Sequence, residues 1–207
     1  EDVALGHAKV PVVGIGRSAL AFFAPDDPFL GEPAKKGVHH IGIAADDPVQ
    51  AAEATGLPIA GPADEGLLGS SQIQLHRQAT CGVRVRFTRP LVLKAAASDM
   101  VERIDHLGVA SIDNEAARSV FIDKLGCVYE SQQTDSEVET LAENFTSDTY
   151  GNVYHTRESR VVGSLRVTFI TVGDTEFEFL QDLTEEVKAD EARHDAAGNT
   201  RVDRSAI

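Results

Sequence analysis

A histidine and a glutamate in the second half of the chain have the residue types and the setting of metal ligands. His106 begins a short apolar stretch, and Glu178 lies between Phe177 and Phe179 in the alternating stretch Thr175–Leu180. In a β-strand, this alternation places the glutamate on one face and the phenylalanines on the other. A carboxylate held so close to an apolar face is costly to bury without a partner, and a metal ion would offset that cost. Because imidazole and carboxylate suit divalent Zn, Fe, Mn, Co or Ni, the pair predicts a metal site.

Three further residues are candidates for contact with the metal or with a substrate. His40 begins a stretch that matches the one beginning at His106, and it is either a third metal ligand or a residue that caps or packs. Arg86 takes the place of Glu178 when the strand pairs are aligned, and it either binds a substrate carboxylate or phosphate or is an ordinary strand arginine. His155, in a predicted strand, either contacts substrate or is exposed.

A repeated strand pair positions these residues, and such repeats reveal the architecture of a chain. The clearest copy runs from Leu165 to Leu180, with its turn at Gly173-Asp174. Lys9–Phe23 has a similar length and places its turn at Gly16-Arg17, and Gln72–Thr88 is a weaker copy. Alternating apolar residues around a glycine-containing turn are typical of β-hairpins.

A second element recurs before two of these hairpins. The stretches Val38–Ala44 and Asp105–Ala110 are predicted apolar strands, and each is followed by a predicted helix. Each helix has an aspartate cap and a terminating glycine, Asp47 and Gly56 in the first and Asp113 and Gly126 in the second. The pattern predicts an α+β fold of repeated βαβββ modules, whose curved sheets are mostly antiparallel and whose first module is incomplete.

The repeats also predict the domain boundaries. Residues 1–93 form a first domain, made of a closing half-module over 1–30 and a full module over 37–93. Residues 101–183 form the module that carries the metal ligands. Residues 184–207 are charged and contain Gly and Asn, which is typical of a linker or tail.

The third module resembles a known superfamily. DHLGVASID at residues 105–113, an amphipathic helix and the final strand TEFEFLQ at residues 175–181 are similar to a module of the vicinal-oxygen-chelate superfamily. That superfamily has the glyoxalase, bleomycin resistance protein and extradiol dioxygenase fold, and FITVGDTEFEFLQ resembles its glyoxalase and methylmalonyl-CoA epimerase branch most. The resemblance implies that His106 and Glu178 are metal ligands, with Glu178 at the catalytic centre.

The resemblance leaves two ways to complete the metal site, because the family builds it from two modules. In one, modules two and three pair, and His40, His106 and Glu178 form a two-histidine, one-carboxylate triad typical of non-heme Fe(II) oxygenases. In the other, favoured slightly, residues 1–93 form a metal-free domain. Module three then pairs with a second subunit in a homodimer or with a fourth module beyond Ile207.

The resemblance implies a metal-dependent lyase or isomerase. Such an enzyme acts on a small 2-oxo, 2-hydroxy or thioester substrate through an enediolate, which a divalent metal ion stabilises. A non-heme Fe(II) extradiol-type dioxygenase is the alternative. A metal-free binding protein of the bleomycin-resistance type is a third hypothesis, because Ala21 and Arg86 stand where ligands would be.

Composition excludes several other classes of function. The net charge of −14 argues against nucleic-acid binding, which needs clustered Lys and Arg, and against an anionic membrane surface. No apolar stretch has the length of a membrane-spanning helix. Cys81 and Cys127 lack the spacing of a metal or disulfide motif, so a cytoplasmic protein is expected. The small-molecule substrate is what the resemblance implies.

Overall fold

The computed structural model describes residues 1–6, 8–31, 34–93, 100–140, 142–149, 151–156 and 159–196. Side chains are described for these residues except 143–145, 147, 153–156 and 191–196. The chain divides into two compact units. The first contains Glu1–Val109, Glu115–Ser131 and Phe169–Glu178, and the second contains Ala110–Asn114, Gln132–Thr168 and Phe179–Ile207.

The amino-terminal segment forms a three-stranded antiparallel sheet in the order β1-β2-β3. Its strands are β1 (Asp2–Leu5), β2 (Ala8–Ile15) and β3 (Ser18–Ala21). The turn predicted at Gly16-Arg17 is present, and Gly16 has a φ of 58°, which glycine adopts without strain. Val3, Val10 and Val12 are almost fully buried and form a local apolar core. The sheet contains the predicted hairpin, as β2 and β3, and one further strand, β1.

The second module has the predicted order of strand, helix and three strands. Its elements are β4 (Ile41–Ala44), α1 (Pro48–Ala54), β5 (Asp64–Glu65), β6 (Ser71–Gln74) and β7 (Val85–Thr88). The sheet order is β4-β7-β6-β5, with β4 parallel to β7. The Asp47 carboxylate accepts a hydrogen bond from the amide of Gln50 at the start of α1, which confirms the predicted cap.

The third module repeats this arrangement with an insertion. Its elements are β8 (His106–Ser111), α2 (Asn114–Arg118, continued as a π-helix over Ser119–Lys124), β9 (Val128–Glu139), β12 (Arg160–Val172) and β13 (Thr175–Asp182). The inserted β10 (Ala142–Ser147) and β11 (Gly151–Thr156) form a separate antiparallel pair. The sheet order β8-β13-β12-β9 is the order of the second module, with the first and last strands adjacent. The repeat predicted from the sequence is therefore present, and the fold class is confirmed as α+β with modular, mostly antiparallel sheets.

Contacts of Phe177 and Phe179 fix β13. The rings of Phe121 and Phe177 are both buried, and their centroids lie 5.7 Å apart at 72°, an edge-to-face arrangement. In the second unit the fully buried Asn114 side chain donates to the carbonyl oxygen of Phe179 at 3.0 Å and to Thr168 Oγ1 at 3.0 Å. These contacts hold the apolar face of β13 and leave the other face for Glu178.

The turn that precedes β13 is held by the first hairpin. The Asp174 carboxylate accepts hydrogen bonds from the amide of Arg17 at 2.7 Å and from Ser18 Oγ at 2.7 Å. The backbone of Gly16 packs so closely here that an added Cβ would meet a backbone carbonyl oxygen. The turns of the first and third hairpins are therefore joined within the first unit.

The residues that follow β13 form a helix that the sequence pattern did not indicate. Helix α3 covers Thr184–Ala196, within the segment interpreted as a linker or tail, and residues 197–207 lie outside the described residues. Asp182 accepts a hydrogen bond from the amide of Thr184 at its start. The helix is polar all round, so it lacks the apolar stripe from which helices are recognised. No helix among the described residues is long and apolar enough to cross a membrane.

Candidate metal site

The structure brings His106 and Glu178 together on neighbouring strands. His106 is the first residue of β8, Glu178 lies in the middle of β13, and His106 Nε2 is 3.6 Å from Glu178 Oε2. Along β13 the burial alternates as predicted, with Phe177 and Phe179 buried and Glu178 partly exposed. The side chains of His106 and Glu178 are 51% and 23% exposed, so a small ligand can reach both. Their role as metal ligands stays a prediction.

An aspartate next to the histidine orients its ring. His106 Nδ1 lies 3.2 Å from Asp105 Oδ2, and Arg103 forms a 2.6 Å ion pair with the same carboxylate. The hydrogen bond to His106 and then the one to Arg103 hold the pKa of Asp105 below its ordinary value. An anionic carboxylate favours the tautomer with its proton on Nδ1, which leaves the Nε2 lone pair facing Glu178.

Asp105 was not among the residues predicted from the sequence. Its position directly before His106, with Arg103 two residues earlier, was the available signal. A carboxylate hydrogen-bonded to the far nitrogen is the usual second partner of a metal-binding histidine. Arg103 also lies 3.8 Å from Glu176 Oε1, so it connects the segment before β8 to β13.

The distance between the two donor atoms fits a shared divalent ion. Nitrogen and oxygen ligands lie about 2.0–2.2 Å from a bound Zn²⁺, and two donors of one tetrahedral site are then about 3.4 Å apart. The separation of 3.6 Å between His106 Nε2 and Glu178 Oε2 is close to this value. However, no group of three or more His, Cys, Asp or Glu side chains that could hold a metal occurs in the described part of the chain. The separation of the pair therefore fits two positions of one coordination sphere.

His40 does not form such a group with His106 and Glu178. It precedes β4, and its ring lies 6.1 Å from the Phe23 ring and 5.9 Å from the Phe29 ring, between centroids. Its Nδ1 is 3.0 Å from His39 Nδ1. Burial, followed by the charge of the nearby Arg86, lowers the pKa of His40 to about 3. His40 is therefore a neutral, packed imidazole in this structure, and a positive neighbour opposes cation binding there.

Arg86 is buried at the corresponding place in the second module. It lies in β7, where its register partners are Gly42 in β4 and Gln74 in β6. The guanidinium donates from Nε to Gln74 Oε1 at 3.0 Å and from Nη2 to the Phe29 carbonyl oxygen at 3.3 Å. Its carbon lies 4.7 Å from the centre of the Phe29 ring. A role in binding substrate stays a prediction.

The remaining predicted site residue can be placed only by its backbone. His155 lies in β11, where it pairs with Glu143 of β10. Its side chain lies outside the described residues, so contact with a substrate stays a prediction.

A cleft in the second unit is lined by none of the predicted site residues. It has a volume of about 210 Å³ and is lined in part by Asp135, Glu137 and Asp182. A hydrogen bond from Thr184 holds the pKa of Asp182 below its ordinary value. Because this carboxylate caps α3, its contacts are explained by local structure.

Comparison with solved structures agrees with the module arrangement. A triple mutant of 4-hydroxymandelate synthase from Streptomyces coelicolor superposes with a TM-score of 0.51 at 14% identity, over 84% of this chain and 51% of that one. The chain has the vicinal-oxygen-chelate fold. A glyoxalase family protein from Enterococcus faecalis also matches, at 15% identity over 69% of this chain and 97% of that one, but with a TM-score of only 0.31. The chain spans about half the length of 4-hydroxymandelate synthase, and at this identity the likeness shows the fold alone. No family model and no curated protein matches the sequence.

Proposed function

We propose that His106 and Glu178 are two ligands of a divalent-metal site in a lyase or isomerase of the glyoxalase and epimerase type. The observation that carries the proposal is the 3.6 Å separation of His106 Nε2 and Glu178 Oε2. Asp105, behind the imidazole, supports it. The ion is one of Zn, Fe, Mn, Co or Ni, which accept this ligand pair. The substrate is a small 2-oxo, 2-hydroxy or thioester compound.

Each side chain has a defined task in this proposal. Asp105 holds the proton on His106 Nδ1, so that Nε2 presents its lone pair. The buried Phe177 and Phe179 fix the strand, so that Glu178 faces the same space from β13. When bound, the cation would polarise a substrate carbonyl and stabilise the negative charge that follows proton loss from the neighbouring carbon.

Completion of the site requires ligands from another module, and a homodimer supplies them most simply. Two copies of the pair provide two imidazoles and two carboxylates. The face of β8 that carries His106 is exposed at Gly108 and Ala110, and β9, at the edge of the sheet, is exposed over its whole length, Val128–Glu139. Exposed edges and faces of this kind favour a partner. Because Glu178 is occupied as a ligand, we propose that the completing module also provides the carboxylate that removes the substrate proton.

A dioxygenase is the second candidate, because the same pair supplies two members of a two-histidine, one-carboxylate triad. The packed and neutral state of His40 weighs against its being the third member, so this candidate also takes its second histidine from a partner. The two enzyme classes differ in a simple observable. Proton exchange at a substrate carbon without oxygen uptake supports the lyase or isomerase, and Fe(II)-dependent oxygen uptake supports the dioxygenase.

Metal analysis tests the proposal. Purified protein is loaded with each candidate ion, desalted and measured by mass spectrometry, together with His106→Ala and Glu178→Gln. His76→Ala and Glu130→Gln, at exposed positions, are matched controls. We expect both site variants to lose bound metal and both controls to retain it. Equal metal content in all five proteins would contradict both enzyme candidates, and no bound metal in any of them would support a metal-free binding protein.

A further inference from the structure

Arg86 presents a buried hydrogen-bond donor that no described residue accepts. The residue is 7% exposed, and two of its three guanidinium nitrogens are bonded, to Gln74 and to the Phe29 carbonyl oxygen. The third, Nη1, is shielded from solvent and has no hydrogen-bond partner. No carboxylate of the described residues lies within ion-pair distance of this guanidinium. Among the described residues, the charge is therefore buried without a counter-ion.

Burial makes the charge of Arg86 costly. Burial lowers the pKa of Arg86; the charge of Asp64 opposes this shift, and the charge of Arg84 adds to it with a smaller effect. A guanidinium nevertheless stays charged in proteins. A buried charge without a partner destabilises a fold, and each such case in a native structure calls for an explanation such as a bound water or ion.

The rings around Arg86 indicate what kind of anion would fit. Phe29 stacks on the guanidinium, with 4.7 Å between its centre and the guanidinium carbon, and Phe23 stacks on Phe29 at 5.0 Å and 15°. The imidazole of His40 lies beside both rings. The flat apolar faces of these rings favour a ligand that has a flat apolar body beside its carboxylate. A phosphate has no such body, and its burial would cost more hydration than the burial of a carboxylate. A guanidinium nitrogen and a carboxylate oxygen form a strong charge-assisted hydrogen bond.

We propose that Arg86 is the anchor of a second ligand site, in which Nη1 donates to the carboxylate of a small aromatic acid and Phe23 and Phe29 contact its ring. Phe29 belongs to a single 3₁₀ turn, Pro28–Leu30, bounded by Asp27 and Gly31. Because Nη1 is enclosed, the ligand enters when this short turn moves aside. The site involves neither His106 nor Glu178, so it is independent of the proposed metal chemistry.

Benzoate and benzamide test the proposal, because they share a shape and only benzoate is charged at neutral pH. Binding is measured by NMR titration of chelator-treated protein, which removes any contribution from metal. We expect saturable benzoate binding that is at least tenfold tighter than benzamide binding, with shifts of the Phe23 and Phe29 ring signals. Arg86→Met should weaken benzoate binding at least tenfold, whereas Arg84→Met and His106→Ala should change it less than twofold.

Several outcomes would overturn the proposal. These are equal binding of benzoate and benzamide, tighter binding of inorganic phosphate than of benzoate, or equal losses in Arg84→Met and Arg86→Met. If Arg86→Met does not fold, a crystal structure of the unsubstituted protein grown with benzoate decides. A carboxylate on Nη1 supports the site, and a water only at that nitrogen contradicts it.

Discussion

Replacing His40 by phenylalanine should remove a large part of the pH dependence of stability. In the folded protein, burial and then the positive charge of Arg86 lower the pKa of His40 to about 3 from its ordinary 6.5. The unfolded chain therefore binds a proton at His40 between these two values, while the folded chain does not. Stability from this group is fully present above pH 6.5 and is lost as the pH falls toward 3.

The magnitude follows from the difference between the two pKa values. Each pH unit inside the window is equivalent to about 1.4 kcal/mol. Between pH 7 and pH 5 the unsubstituted protein should lose about 2 kcal/mol of unfolding free energy through His40. Phenylalanine retains a ring against Phe23 and Phe29 but has no group that titrates, so His40→Phe should lack this loss.

Urea unfolding at pH 7, 6 and 5 measures the effect. His76→Ala, a change at an exposed histidine, is the control and should retain the pH dependence of the unsubstituted protein. The reasoning is refuted if His40→Phe and the unsubstituted protein lose the same unfolding free energy between pH 7 and pH 5.

Three further predictions concern the site and the fold around it. Asp105→Asn should weaken divalent-metal binding about tenfold in a chelator competition, because it removes the charged partner of His106. Tenfold is the low end of the losses in metal affinity expected when such a partner is replaced. Because Asp105 is exposed, 1 M salt should reduce the difference in affinity between the variant and the unsubstituted protein. Gly16→Ala should lower the urea midpoint more than Gly6→Ala, because both glycines have positive φ but only at Gly16 would the new Cβ meet backbone; equal midpoints would contradict the close packing of that turn. Phe121→Ala should lower the free energy of unfolding in urea by about 3–5 kcal/mol, because the ring is fully buried. A loss under about 1 kcal/mol would contradict the burial of this ring.

The strands that carry the site could be predicted because their signals are local. Thr175–Phe179 alternates strictly, and the burial of Phe177 and Phe179 follows that period. The repeated elements then placed His106 on the first strand and Glu178 on the last strand of one module. These two strands are adjacent in the sheet. Local pattern and repeat order together were sufficient for this part of the fold.

Other features depend on contacts that a pattern does not encode. His40 matches His106 in sequence, yet Phe23 and Phe29, which lie 17 and 11 residues earlier, determine its surroundings. The bond between Asp105 and His106 depends on two side-chain rotamers. The separate pairing of β10 with β11 and the polar helix α3 have no apolar period that would reveal them.

The most direct measurement is anomalous diffraction from crystals of the protein loaded with Zn²⁺. The account predicts one strong peak about 2.0–2.2 Å from both His106 Nε2 and a Glu178 carboxylate oxygen. It also predicts that the remaining ligands come from a second copy or another module. A fully loaded crystal with no metal at this pair, or with the ion bound only elsewhere, would contradict the central claim.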